Sequence, residues 1–258
     1  MPSVPLSETC GAPAALWLWP GQALYVGPSL ALDIHSGSVS CLAVGVDEEF
    51  TVQLENGTRQ VARTALIAAR VRHRILPHGS RMAFCYLDPA SPRERACRRM
   101  MSGSAELARG HGHERPLTRL AARMDGSTPL PAALSWLDLA GPDDRTEARD
   151  PRIRQATLRL AEDPGQQLSA EKLAVEAGLS VSTFLRLFRA QTGTTFRRYR
   201  LWTRMLRVAL LLETWPDLST AAVEAGFASP SHFSSAFHAM FGLRPSRLLT
   251  RGVTIRAA

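Results

Sequence analysis

Hydrophobic and polar positions follow two different periods along this chain. Through residues 16–88 the apolar stretches are short, rich in strand-forming side chains, and separated by Gly and Pro. Phe50, Val52 and Leu54 alternate with Thr51 and Gln53, the two-residue period of a strand with one buried face. Ala23-Leu24-Tyr25-Val26 and Met82-Ala83-Phe84-Cys85-Tyr86-Leu87 are continuous apolar runs of strand length. Asn56-Gly57 stands between the 50–54 run and Arg59-Gln60-Val61-Ala62. Both residue types tolerate positive φ, so this segment predicts a hairpin closed by a type I′ turn. Several short strands with this punctuation predict a small barrel or sandwich. From 92 to 139 the chain turns helical and loop-like, with one helix expected over 93–108, weakened at Gly103, and another over 117–124. Gly141-Pro142-Asp143-Asp144 then reads as a linker.

Beyond Pro151 the apolar positions take helical spacing, and they repeat. Ala174-Val175-Glu176-Ala177-Gly178 recurs as Ala222-Val223-Glu224-Ala225-Gly226, 48 residues later. After one inserted residue Phe184, Phe188 and Gly193 correspond to Phe233, Phe237 and Gly242. A helical solenoid needs about three or more such copies. A short helix, a Gly turn and a second helix ending in Gly is instead the layout of a helix-turn-helix. Ser169 and Ser180 are placed to cap the two helices of the first copy, and Ser229-Pro230 opens the second helix of the second copy. Phe233, Ala236, Phe237, Met240 and Phe241 form one apolar stripe, while Ser231, Ser234, Ser235 and His238 form a small polar one. In the first copy Phe184, Leu187 and Phe188 point inward, and Ser182, Leu185, Arg186 and Arg189 make the complementary stripe. An apolar back and a thin polar front suit a helix that enters a major groove. Residues 194–214 read as one connecting helix carrying Arg197, Arg198, Arg200, Arg204 and Arg207.

Charge supports that division. The chain of 258 residues has a formal net charge of +8. Residues 151–258 hold 15 basic and 7 acidic side chains, and the first 150 hold 16 of each. A neutral half joined to a basic half points to a polyanionic partner for the second. Rigid separation of the two second helices by about one DNA turn, ~34 Å, would place both in successive major grooves, with connecting-helix arginines on phosphates. The longest apolar runs fall far short of the ~20 residues that span a bilayer. No Lys or Arg precedes Arg59, as a secretory leader would require, and Cys10, Cys41, Cys85 and Cys97 have no CxxC spacing. A cytoplasmic chain with reduced thiols and no membrane association is expected. Arg93, Arg95, Arg98 and Arg99 surround Cys97 in sequence, which would favour its thiolate; a passive helical cysteine is the plainer expectation.

With these residues in view, 168–249 resembles the AraC/XylS-type family of bacterial transcription regulators. The likeness is carried by Leu173-Ala174, Ala177-Gly178-Leu179-Ser180, Phe184, Arg186, Phe188, Gly193, Phe196, Tyr199, Arg204-Met205, Gly226-Phe227, Ser231-His232-Phe233, Phe237, Phe241-Gly242 and Pro245. It implies two helix-turn-helix units joined by a helix and bound to double-stranded promoter DNA, with RNA polymerase as a further partner. The family's base-reading positions fall on Ser182, Leu185, Arg186, Ser231, His232 and Ser235. Family members often carry a basic residue where Ser235 stands. Its absence leaves Arg186 as the expected source of base specificity, with the second unit positioning.

The first half is similar to the cupin-type sensor of the same family, through Trp19-Pro20-Gly21, His35, Arg72-His73-Arg74 and Tyr86-Leu87-Asp88-Pro89. That likeness implies a barrel holding a small effector, with following helices that pair two subunits. The effector site itself stays open, with His35 and His73 as candidates that read equally as hydrogen-bonded core or rim residues. A metal-binding cupin presents a His-x-His pair, whereas His35 is followed by Ser36-Gly37, so neither metal nor cofactor is expected. His111 and His113, flanked by Gly110 and Gly112, read as a loop. The whole is expected to be an α+β two-domain chain. Residues 1–140 form a cupin-like β-barrel with trailing helices, and 141–150 a linker. Residues 151–258 form an all-α domain with helix-turn-helix units at about 169–193 and 218–242, joined by a helix at about 194–214. A ligand-responsive homodimeric regulator is the leading expectation, ahead of an effector-independent regulator whose barrel only dimerises. A cupin enzyme with an accessory DNA-binding domain ranks last, because no nucleophile–base pair or paired carboxylates are present.

Overall fold

The computed structural model describes residues 14–89, 91–143, 150–162, 164, 168–214, 217–249 and 252–257. Cys10 and the linker positions 144–149 lie outside them. The strands are β1 (Ala15–Trp19), β2 (Gln22–Pro28), β3 (Ser40–Gly45), β4 (Phe50–Leu54), β5 (Arg59–Ala62), β6 (Thr64–Ile67), β7 (His73–Pro77) and β8 (Arg81–Leu87). Then come α1 (Pro92–Arg99), β9 (Ser102–Gly103), β10 (Leu107–Arg109), α2 (Glu114–Ala122) and α3 (Leu130–Ala140). The helical part holds α4 (Pro151–Glu162), α5 (Ala170–Glu176), α6 (Val181–Thr192), α7 (Phe196–Thr214), α8 (Leu218–Glu224), α9 (Pro230–Phe241) and α10 (Pro245–Leu249), followed by β11 (Thr254–Ala257).

An eight-stranded sheet runs β11-β1-β2-β8-β3-β6-β10-β9, and a three-stranded sheet runs β5-β4-β7. One face of the large sheet packs on the small one through Tyr25, Ala43, Phe50, Val52, Ile75 and Phe84. The other packs under α1–α3 through Trp17, Leu24, Leu42, Cys85, Leu117 and Trp136. Burial on both faces explains why β3 is buried at every position and reads as a run rather than an alternation.

Three local expectations need correction. The β4–β5 hairpin turns through three residues, because Gly57 N–H bonds to Leu54 O and Leu54 N–H to Thr58 O. Only Gly57 takes positive φ, +83°, so this is a type I turn with a glycine bulge and not type I′. The helix expected over 93–108 stops at Arg99, because Gly103 sits at φ +131° against Leu107 O and the chain folds back as β9–β10 onto β6. The helix expected over 117–124 spans Glu114–Ala122. Cys97 is fully buried between the sheet and α3, and burial pushes its thiol up to about 12. Burial thus outweighs the pull of its arginine neighbours toward the thiolate. Arg93 and Arg98 are occupied by Gly141 O, Asp138 and Glu94.

The helices of 151–249 are followed by a return to the sheet. β11 pairs in parallel with β1, from Ala15 opposite Thr254 to Leu18 opposite Ala257. Arg256 holds Gly126 O with two hydrogen bonds, at 3.1 and 2.7 Å.

Candidate nucleic-acid interface

The repeat in the sequence is a repeat in hydrogen bonding. Gly178 N–H bonds to Val175 O and Leu179 N–H to Ala174 O, and Gly226 and Phe227 bond in the same way to Val223 O and Ala222 O. Both are Schellman ends, with the glycines at φ +64° and +88°. Ser180 Oγ accepts from Thr183 N–H and Ser229 Oγ from His232 N–H, so α6 and α9 start on equivalent caps. Both end on left-handed glycines, Gly193 at φ +64° and Gly242 at +73°.

The backs of the two helices are locked differently. Phe184 and Phe188 pack with Ile153, Leu173, Phe196 and Tyr199 in a core made entirely by the helical region. Phe233 and Met240 pack with Trp202, Met205 and Val208 of α7, and also with Leu18, Ala23 and Val39 of the sheet domain. The first half of α7 thus belongs to the first unit's core and its second half to the second's.

On the front of α6, Ser182, Leu185, Arg186 and Arg189 are all exposed. Among the described residues neither arginine has an ion-pair partner. On α9, Ser231, His232 and Ser235 are exposed and Ser234 is half-buried. The His232 ring rests edge-on against Phe227, 5.6 Å between centroids. His238 departs from the expected stripe. Its Nε2 lies 3.0 Å from Asp33 Oδ2 of the sheet domain, because the last turn of α9 is docked there. Asp33 N–H bonds to Gly242 O at 2.8 Å and Ser36 N–H to Ala239 O at 3.3 Å, satisfying helix-end carbonyls that have no partner within the helix.

The connecting helix also sorts its arginines. Arg198 donates to Gly37 O and Ser36 Oγ, Arg204 donates to Pro164 O, and Arg200 lies over the Phe196 ring. Arg197 and Arg207 remain exposed.

His35 and His73 are brought together. They form an isolated antiparallel bridge that ties the 33–36 segment to β7, their rings are 4.4 Å apart, and both are buried. Each Nδ1–H donates to a backbone carbonyl, Asp33 O and Val71 O, at 2.9 Å. Burial lowers both, His73 to about 4. His111 and His113 hold Ala140 O and Leu139 O, tying the start of α2 to the end of α3.

A cavity of about 80 Å³ lies elsewhere, between the sheet domain and the second unit. Tyr25, Phe84 and Tyr86 line one side, and Trp202, Met205 and Phe241 the other. Sequence patterning missed this site. Trp202 sits at helical spacing from Tyr199 and Met205, but nothing in that period says that its face meets another domain.

Residues 173–251 match a family model described as a helix-turn-helix domain. A probable transcriptional regulator LumQ of Photobacterium leiognathi is 37% identical over 83 residues, 32% of this chain and 34% of that protein. The transcriptional activator RhaS of Escherichia fergusonii is 31% identical over 120 residues, 46% of this chain and 42% of that one. Over this C-terminal part the chain is similar to helix-turn-helix transcription regulators. It spans about a third of the length of the first curated relatives it matches. In fold alone the likeness reaches both domains: a crystal structure of apo ToxT from Vibrio cholerae superposes with TM-score 0.62 at 13% identity, over 90% of this chain and 97% of that one.

Proposed function

We propose that this protein is a sequence-specific, DNA-binding transcription regulator and not an enzyme. The observation that carries the reading is the doubled unit, with matched caps, matched glycine turns and an outward polar face on each second helix. On this reading α6 and α9 enter successive major grooves of one DNA face. Ser182, Leu185, Arg186 and Arg189 meet DNA from the first unit, and Ser231, His232, Ser234 and Ser235 from the second. His238 is committed to Asp33 and serves the domain junction. Residues 151–258 act as the DNA-binding domain and 1–140 as the sensor and dimerisation domain, joined by 141–150. The working form is a cytoplasmic homodimer that acts on RNA polymerase. Among the described residues no helix is long and apolar enough to cross a membrane.

The cavity between the domains serves as the effector site. ToxT has been crystallised with an unsaturated fatty acid bound, in a fold that superposes on this one with TM-score 0.55. A ligand here would touch α7, the helix that spaces the two DNA-reading units.

The test is selection of a binding site from random duplexes by the full-length protein, followed by footprinting and titration at several salt concentrations. Two protected major-groove segments about one turn apart, with affinity falling steeply as salt rises, are expected. Salt-independent binding, or a single protected groove, overturns the two-helix reading.

A further inference from the structure

We propose that the inter-domain cavity binds a small, uncharged, largely apolar molecule carrying one hydrogen-bond acceptor, and that the Trp202 indole and the Tyr86 hydroxyl are the groups that meet it. This rests on the effector reading above and names the ligand class for that site.

The first observation is what the walls lack. Among the described residues lining the cavity none is Asp, Glu, Lys, Arg or His. A carboxylate brought here would lose its hydration with no cation to replace it. A ligand matched to these walls is neutral.

The second observation is what the walls leave unpaired. Trp202 is 1% exposed, and its Nε1–H is buried with no hydrogen-bond partner among the described residues. A buried indole N–H normally finds an acceptor. Tyr86 packs beside it, with ring centroids 5.9 Å apart, and edge-on to Phe241 at 5.2 Å. No hydrogen bond reaches its hydroxyl among the described residues. Burial holds that phenol well above its ordinary range, so it stays a donor at any physiological pH. Two donors and no charge on an otherwise aliphatic and aromatic wall suit a carbonyl, ether or ester oxygen on an apolar body.

Size narrows the class further. A dry apolar cavity of roughly 150 Å³ holds benzene, and this one is about 80 Å³. It accepts a single ring only with a small outward shift of the α7 and α9 walls. Occupancy is thereby coupled to the spacing of the two units.

The experiment titrates the full-length protein with acetophenone, toluene and benzoate, following heat and the 15N indole resonances, with Trp202 assigned through Trp202→Phe. Acetophenone is expected to bind and to move the Trp202 indole resonance. Toluene, with the ring but no acceptor, should bind about fivefold more weakly, the net value of one hydrogen bond. Benzoate should be weakest. Tyr86→Phe should weaken acetophenone severalfold and leave toluene unchanged. Ala209→Leu should fill the cavity and abolish all three, with an unchanged far-ultraviolet spectrum showing that the variant is folded. Benzoate binding more tightly than acetophenone, and lost in Ala209→Leu, overturns the neutral class while leaving an effector cavity. Toluene equal to acetophenone overturns the assignment of the acceptor. Binding of none of the three, with the Trp202 resonance unmoved, overturns the cavity as a site altogether, as does binding untouched by Ala209→Leu.

Discussion

At the scale of single residues, environment divides one side-chain type into different tasks. Arg198 and Arg204 spend their guanidinium groups on carbonyls and a hydroxyl within the protein, and Arg93 is buried against Gly141 O. Arg186 and Arg189 have exposed positions on α6. A guanidinium held out on a rigid helix is available for bidentate contact with a guanine edge. Arg186→Ala is expected to cost about 1–3 kcal/mol of operator affinity and to relax selectivity at one base position, while non-specific binding stays within a few tenths of a kcal/mol. Titrating matched and randomised duplexes checks this; a loss equal on both would mark a phosphate contact. Most of this outward face was legible, because period 3.6 alone separates Arg186 from Phe184 and Phe188. His238 was not. It holds the same period as Ser231 and Ser235, and its partner Asp33 lies 205 residues away, a distance that no helical wheel reports.

At the scale of elements, the two units share a design that differs in its loading. Gly178 and Gly242 both close helices at positive φ, but an added Cβ at Gly178 meets open space, while at Gly242 it comes 2.6 Å from Asp33 O and 2.7 Å from His35 Nδ1. Gly178→Ala should therefore cost only the left-handed backbone, about 1 kcal/mol. Gly242→Ala must also push the 33–35 segment away from α9 and should cost clearly more. Urea titration gives the two losses, and hydrogen exchange at the Asp33 amide, bonded to Gly242 O, should quicken in the second variant only. Equal losses would mean that the junction does not load this helix end. The caps and glycine turns were readable because they are local hydrogen-bond chemistry. The truncation of the 93–108 helix was not, since Arg-rich periodicity favours a helix until Gly103 and the partner strand β6 are both in place. The strand β11 was equally hidden: Thr254-Ile255-Arg256-Ala257 is too short to announce itself, and it exists by pairing with β1. The cavity has the same cause, because apolar faces on Tyr86 and Trp202 read as ordinary core.

At the scale of the whole molecule, the sheet domain grips the second unit and touches the first lightly. The first unit meets it through Tyr199 on Asp88, Arg198 on Gly37 O and Ser36 Oγ, and the approach of Gly193 to Pro89. The second shares two cores with it and hands it the end of α9. The buried His35–His73 pair sits under that end. Both are held neutral by burial, and His73 is lowered from 6.5 to about 4. The native state then binds fewer protons than the unfolded chain between those values, so stability falls as pH falls through that window. For His73 alone the full loss is roughly 3 kcal/mol. Facing groups do not mask it. His238 and Arg74 hold the Asp33 carboxyl below its ordinary range, so Asp33 stays charged across most of the window, and its contribution is lost only at lower pH. Asp125, Asp150 and Asp217 are lowered as well. Thermal melting from pH 7.5 to 4.5 should show a Tm that is flat above about 6.5 and declines below it. His73→Phe keeps a ring beside His35 and removes one buried proton site, so it should flatten that decline, while lowering Tm near neutrality through the lost Nδ1–H bond to Val71 O. A wild-type profile that His73→Phe does not alter would assign the acid sensitivity elsewhere. Because the pair underlies the α9 end and not the first unit, the same acidification should raise exchange at the Asp33 and Ser36 amides before it reaches those of α6.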